Sequence, residues 1–396
     1  MSSNKGFILA IISFALFSNC KPNDNAGLVF TFPKENVSDY VSSIELKEGE
    51  PLLITLDSSI SLLNQSFQVT EEQGIEFLTI LNTFNNSLYK YKLETGALES
   101  RIQFEIEGDN GIGNPSNMGH YYHNNDSIFL SNHWEKKIYL VNSNGEIITT
   151  YNLVEPNNEF QFFTMTTPNS QMAIVRGNLI IPVQGIANSM KNSAYVCSIN
   201  LKTKRANWFL EGDPFMDDKF WGPITPYQFM VTYNFEDSLL ISNMAKSPYL
   251  RLHTFDPSEG EITKHVSGSQ FVSELISFAK INPDKPPMYG LQYKEIASET
   301  NRTALFNFIA YDKYNNLYYR QLILPRSPED YEKGLNGIQL SIIILNANFE
   351  KVGEMILPKG KYHPNIFFIS KSGLALANLD AYQKNENEIK FDTFIP

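Results

Sequence analysis

Gly119-His120-Tyr121-Tyr122, Asp126-Ser127-Ile128-Phe129-Leu130-Ser131-Asn132, Lys137-Ile138-Tyr139-Leu140-Val141-Asn142 and, after Asn144-Gly145, Glu146-Ile147-Ile148-Thr149-Thr150-Tyr151-Asn152-Leu153 decide the fold. Each stretch is a short run rich in β-branched and aromatic residues, and Asn, Asp, Ser and Gly separate the runs, which is the pattern of strands and tight turns. The order is strand, polar turn, inner strand, turn, third strand, tight turn, fourth strand. That order recurs along the chain. Asp237-Ser238-Leu239-Leu240-Ile241-Ser242-Asn243 copies the inner strand, Tyr249-Leu250-Arg251-Leu252-His253-Thr254-Phe255 the third, and Ser258-Glu259-Gly260 the tight turn.

Inner strands begin near residues 77, 127, 178, 238, 317 and 373, giving six units. Their spacing approaches the roughly 40–50 residues of a propeller repeat once loop insertions are allowed. A four-stranded blade cannot bury both faces alone, so blades pack side by side and the ring closes on itself. After Gly373–Leu379 only Glu388–Phe394 remains, so the last blade lacks outer strands. The N-terminal segment can supply them, for example from Leu28–Phe32 and Val41–Leu46. The fold expected is all-β, a six-bladed propeller closed by N-terminal strands. One short helix is expected over Phe271–Lys280, where Val272, Leu275, Ile276 and Ala279 share a helical face in the long connection between the fourth and fifth blades.

The first residues carry an address. Met1 to Lys5 make a short basic start and Gly6 to Phe17 an apolar run. That run is shorter than the roughly 20 apolar residues of a membrane span and has the length of a secretory signal. It ends at Phe17-Ser18-Asn19-Cys20, which resembles a bacterial lipoprotein signal in which the Cys becomes the lipidated first residue. Phe17 and Asn19 depart from the usual Leu and small residue at their positions. The expected organisation is a signal peptide over 1–19, a lipidated linker over 20–27 and the propeller over 28–396. The expected location is the cell envelope, anchored by lipid at the outer membrane.

Composition agrees. The 396 residues carry 32 Lys and Arg against 43 Asp and Glu, a formal charge of -11. Removal of residues 1–19 takes one Lys and no acid, so the processed chain carries 31 minus 43, or -12. Such acidity argues against nucleic-acid binding, which relies on cations that neutralise phosphates. The chain has two cysteines. With Cys20 lipidated, Cys197 has no disulfide partner, and its strand-like surroundings make it a small buried apolar side chain rather than a nucleophile.

Asn85-Asn86-Ser87-Leu88-Tyr89, Asn125-Asp126-Ser127-Ile128-Phe129-Leu130 and Asn315-Asn316-Leu317-Tyr318-Tyr319-Arg320 give the chain a resemblance to a known family. It resembles domain of unknown function 4221, Bacteroidetes lipoproteins with a six-bladed, TolB-like or NHL-like propeller. The resemblance covers most of residues 26–396 and implies a fold and a compartment. It brings no agreed activity and no catalytic residue.

No nucleophile elbow, phosphate-binding loop or zincin helix occurs in the sequence. His120, His123 and His133 lie close in sequence, but odd spacing along a strand sends side chains to opposite faces, so no metal site is expected there. The turns leading into the six inner strands are more informative, because in a propeller they converge at one mouth of the central channel. Glu72, Asn125, Asp126, Asp237 and Asn316 are the ligand-binding candidates from these turns. Asn, Asp and Gly are also the ordinary residues of tight turns. Arg176 and Arg320 each interrupt an apolar stretch, and a buried guanidinium needs an anion or carbonyls, so both join the candidates. The loops around Trp134 and Phe215–Pro223 offer aromatics to a sugar or a protein partner. The function expected is a binding or scaffolding module for an envelope protein or glycan, without a cofactor. The alternative is a hydrolase of the lactonase type using Ca²⁺ held by carboxylates at the channel mouth.

Overall fold

A computed structural model describes residues 29–57, 60, 65–114, 118–133, 135–153, 162–185, 194–216, 221, 228–256, 259–277, 298 and 301–396. The signal segment, Cys20, Leu28, Trp134 and most of the second aromatic loop lie outside the described residues. Six antiparallel sheets follow one another along the chain. Blade 1 is Gln65–Glu72, Ile75–Asn82, Ser87–Lys92 and Leu98–Gln103; blade 2 is Met118–Asn124, Ser127–Asn132, Lys137–Val141 and Ile147–Asn152. Blade 4 is Phe229–Asn234, Leu239–Met244, Tyr249–Thr254 and Glu261–Val266; blade 5 is Leu305–Asp312, Leu317–Ile323, Leu340–Leu345 and Lys351–Ile356.

The strands nearest the axis are the first of each blade, which pack against one another around the ring. The strands that read as inner from sequence are therefore second from the axis. Being sandwiched between blades on both faces, they bury nearly every residue, as Gly373–Asn378 and the third strand Leu340–Leu345 show. Outer strands such as Leu98–Gln103 are mostly exposed. This gradient explains why apolar runs mark the blade centres and alternation marks the edges.

Blade 3 departs from the pattern. Its first strand is broken into Phe162–Thr164 and Ala173–Val175, both paired with Asn178–Gly185. The intervening residues leave the sheet, with consequences described below.

The ring closes in blade 6. Tyr362–Ser370, Gly373–Asn378 and Glu388–Ile395 are joined by two N-terminal strands, Lys47–Glu48 and Leu52–Thr55, both laid antiparallel on Glu388–Ile395. Closure by the N-terminal segment is as the sequence implies, but the closing strands lie C-terminal to the segments suggested for them. Val29–Thr31 instead pairs with Glu274–Ile276. Residues 43 and 44 donate their N–H groups to Val352 O at 2.9 and 3.1 Å, along the outer strand of blade 5.

The helix expected over Phe271–Lys280 is not formed in its described part. Ser269 bridges Val272, and Glu274–Ile276 is a strand because Val29–Thr31 offers it a ladder. The same connection does carry helical residues further on, at Ser298, Asn301 and Arg302. Short helices also occupy Lys34–Val37, Pro328–Glu332 and Leu379–Lys384.

A buried ion pair pins the N-terminal strap to blade 5. Lys351 Nζ lies 2.7 Å from Glu354, with side chains 1% and 0% exposed. Lys351 also donates to Asn36 O at 3.1 Å and sits 4.2 Å from the Tyr40 ring. Glu354 accepts from Ser269 Oγ, Gln270 N and Ser341 Oγ.

Candidate functional site

Two of the turns that join first and second strands are two-residue hairpins with both central residues at positive φ. Gln73 and Gly74 have φ of 51° and 81°, Arg176 and Gly177 of 49° and 77°. This is the type I′ geometry that matches strand twist. Arg176 is thus a hairpin tip, exposed to solvent, and does not interrupt a buried strand. In blades 4 and 5 the turns are longer and organised by side chains. Asn234 Oδ1 accepts from Asp237 N at 3.0 Å, and Asp312 Oδ1 from the N–H groups of Tyr314 and Asn315 at 3.0 and 3.2 Å.

The turns of blades 1, 5 and 6 do meet. Glu71 pairs with Lys313 of blade 5 at 3.3 Å and with Lys371 of blade 6 at 3.2 Å. Tyr314 OH donates to Glu76 at 2.8 Å, and Lys371 N donates to both Glu76 oxygens at 3.0 and 3.1 Å. Hydrogen bonds from Lys371 and Lys313 hold the Glu71 carboxyl below its usual range. Burial, then the neighbouring Glu76, pushes the Tyr314 phenol up.

Glu72 is drawn elsewhere. Both its oxygens accept from Lys90 Nζ at 2.7 Å, and Lys90 reaches Tyr122 OH of blade 2 at 3.1 Å. Tyr122 OH in turn donates to Asn125 Oδ1 at 2.5 Å, so Glu72 and Asn125 belong to one network. Asp126 is exposed beside it, its N–H bonded to Asn124. Across the mouth, Asn234 Nδ2 donates to Asp237 Oδ2 and to Tyr318 OH, each at 2.8 Å, and Tyr311 OH donates to Asn316 at 3.3 Å. Burial, then Glu236 and Asp237, raises the Tyr311 phenol.

Arg320 is not at the mouth. It is fully buried in the second strand of blade 5 and donates to Ser247 O at 2.8 Å, Pro248 O at 3.3 Å, Ser267 O and Asn243 Oδ1. Its guanidinium lies 3.3 Å from the Phe306 ring centre. It ties blade 5 to blade 4 through carbonyls, a structural role.

Sequence reading missed the channel's stopper. Residues 165–172, which leave blade 3, cross the axis. Gln171 Nε2 donates to Phe67 O of blade 1 at 3.0 Å, and Tyr233 OH of blade 4 donates to Gln171 O at 2.9 Å. Asn169 Nδ2 donates to Asn307 O of blade 5 at 2.6 Å, and Ser131 Oγ of blade 2 to Thr166 Oγ1 at 2.8 Å. Its only advance signal is Pro168-Asn169, a turn pair. Between this segment and the mouth lies a cavity of about 160 Å³, walled by Val69, Tyr233, Tyr311, Phe367 and Phe368 and floored by Pro168 and Gln171. The channel is a closed funnel that opens toward the turns.

Among the described residues no group of three or more His, Cys, Asp or Glu is placed to hold a metal ion. His120 is buried between Ser66 Oγ and Thr79 Oγ1 at 2.9 and 2.8 Å, and burial lowers its pKa to about 3. Cys197 is fully buried, and burial raises its thiol pKa.

The fold and its stopper define the molecule as a six-bladed β-propeller with a blind central funnel. The chain belongs to the family described as a domain of unknown function, DUF4221, whose sequence profile matches residues 43–356. A crystal structure of a member of that family from Bacteroides vulgatus is similar, with 24% identity and a TM-score of 0.75 over 89% of this chain and 98% of that one. A putative exported protein from Bacteroides fragilis is similar at 10% identity and a TM-score of 0.53, over 91% and 98% of the two chains. No curated protein matches the sequence.

Proposed function

We propose that the protein is a binding or scaffolding module of the cell envelope, tethered through a lipid on Cys20, that holds an envelope protein or glycan at the funnel mouth. The blind funnel carries this reading. A concavity closed at its base, with apolar walls and polar groups converging on its rim from several blades, is the arrangement that captures part of a ligand. Its volume of about 160 Å³ suits one side chain or ring, since a cavity of ~150 Å³ accepts benzene. The funnel therefore takes the tip of something larger, as an anchor residue does in an interface.

The calcium-dependent hydrolase finds no such support. The carboxylates it would draw on among the mouth candidates are Glu72, Asp126 and Asp237. Glu72 directs both oxygens to Lys90 and Asp237 accepts from Asn234, while Asp126 stands apart on the blade 2 turn.

A photocrosslinking residue placed at exposed Phe235 or Tyr314, beside the mouth, tests the proposal in cells. Adducts from these positions are expected, with none from Ile148 on the outer strand of blade 2. Adducts from Ile148 alone would move the binding surface to the rim of the ring and refute the mouth.

A further inference from the structure

The funnel and its rim select for charge. Among the described residues no Lys, Arg, Asp or Glu lines the cavity, whereas Tyr233, Tyr311, Phe367 and Phe368 do. Phe235 extends this aromatic surface outward, stacked 5.9 Å from Tyr233 and more than half exposed. Around the mouth, the turns and adjoining strands bring seven carboxylates, from Glu71, Glu72, Glu76, Asp126, Glu236, Asp237 and Asp312, against Lys90, Arg176, Lys313 and Lys371. Three of those cations are engaged: Lys90 by Glu72, and Lys313 and Lys371 by Glu71. The negative charge left over includes Glu236 and Asp237 on the turn of blade 4, whose carboxylates act on Tyr311, and Asp126 on the turn of blade 2.

We propose that the funnel receives the cationic head of a Lys or Arg side chain projecting from an extended segment of a partner protein. This rests on the mouth being the binding surface. The chemistry is complementary throughout. Aromatic faces attract a cation through their quadrupoles, and the attraction strengthens as water is excluded. Ammonium and guanidinium groups carry donors and no acceptors, which suits the phenolic oxygens of Tyr233 and Tyr311 in the lining. An anionic head would meet neither a cation within the cavity nor a positive rim. The carboxylates of Glu236 and Asp237 offset the cost of desolvating the charge, which aromatic contact alone would not do.

Three blocked tripeptide amides, acetyl-Gly-Arg-Gly, its citrulline counterpart and its Glu counterpart, test the inference by titration into the full chain. Methyl NMR signals of Ile309, which lines the cavity, report binding at the right place. The Arg peptide is expected to bind at least ten-fold more tightly than the citrulline peptide and to weaken as salt rises. Glu236→Gln and Asp237→Asn should each reduce that preference several-fold, and Arg176→Gln should increase it. Glu236 is an exposed turn residue, so its variant remains informative where Asp237→Asn disturbs the turn. Equal binding of the Arg and citrulline peptides overturns the charge selection and leaves the mouth as a binding surface. Shifts of Ile309 with an N-acetylglucosamine disaccharide but with no peptide overturn it in favour of a glycan. No shift with any of the four probes overturns both this inference and the mouth.

Discussion

Glu354→Leu removes the carboxylate from a pair that no water reaches, and leaves Lys351, among the described residues, with Asn36 O and the Tyr40 ring. Breaking a buried pair by deleting one partner costs about 3–5 kcal/mol, chiefly because the other charge stays buried and uncompensated. Burial already lowers the Lys351 pKa, and the Glu354 charge opposes that shift. Without Glu354 the amine moves further toward its neutral form, which places the expected loss at the lower end of the range. At roughly 2 °C per kcal/mol for a chain this long, the melting temperature should fall by about 6–8 °C. The informative comparison is Lys351→Met/Glu354→Leu. It removes both charges, so most of the loss should return. What remains comes chiefly from Ser269 and Ser341, buried hydroxyls deprived of their acceptor at about 1 kcal/mol each, with Gln270 N and Asn36 O also losing their partners. Calorimetry at neutral pH on the parent and three variants, including Lys351→Met alone, completes the cycle. A double variant no more stable than Glu354→Leu would show that an uncompensated charge is not the cause, and would refute the reasoning.

Acid should destabilise the propeller through its histidines. Burial lowers His120 and His253 to about 3, His133 and His363 to about 4, and His265 as well. Each folded pKa lies below the unfolded value near 6.5, so the unfolded chain takes protons that the native state refuses. Stability is complete above about pH 6.5 and is lost as pH falls toward the folded values, by roughly 2 kcal/mol at pH 5 for fully buried His120. Urea titrations from pH 7.5 to 5 should show this slope, and His120→Gln should make it shallower; an unchanged slope would contradict the assignment. Cys20→Ala should release the protein from membranes or leave an unprocessed precursor, and fractionation of cells checks it. Processed Cys20→Ala protein that still pellets with membranes would exclude lipid at that residue.

The six-fold rhythm was legible because blade centres are buried on both faces and must be apolar, while turns must be polar. Register was not. Pairing Val29–Thr31 with Glu274–Ile276 overrode a helical spacing at Val272, Leu275 and Ile276 that local pattern alone favours. At the mouth, the choice of turns was informative and the choice of residues less so. Glu71 and Glu72 are adjacent on a strand and point to opposite faces, so sequence cannot tell which of them meets blades 5 and 6. Arg176 and Arg320 look alike in sequence, each set among apolar residues. Gly177 after Arg176 was the distinguishing sign of a hairpin tip, whereas only the packing of blade 4 shows what Arg320 binds. The stopper was illegible for a different reason: Thr166-Thr167-Pro168-Asn169-Ser170 has the composition of a surface loop. Its buried position follows from the ring around it.

The closure of blade 6 also fixes an order of events. Ile54 lies opposite Ile389, a separation of 389 minus 54, or 335 residues. Such a contact forms slowly, since the entropy of a very long loop is lost before any ladder repays it. A chain made N-terminus first presents Leu52–Thr55 long before its complement in Glu388–Ile395. Throughout that interval Leu52–Thr55 is an unpaired strand, open to pairing with other chains. Leu53 and Thr55 remain exposed even in the finished ring, and Pro51 stands directly before the strand. The last blade thus works as a latch that engages only once Glu388–Ile395 has been made, so a product truncated before it is left as an open ring.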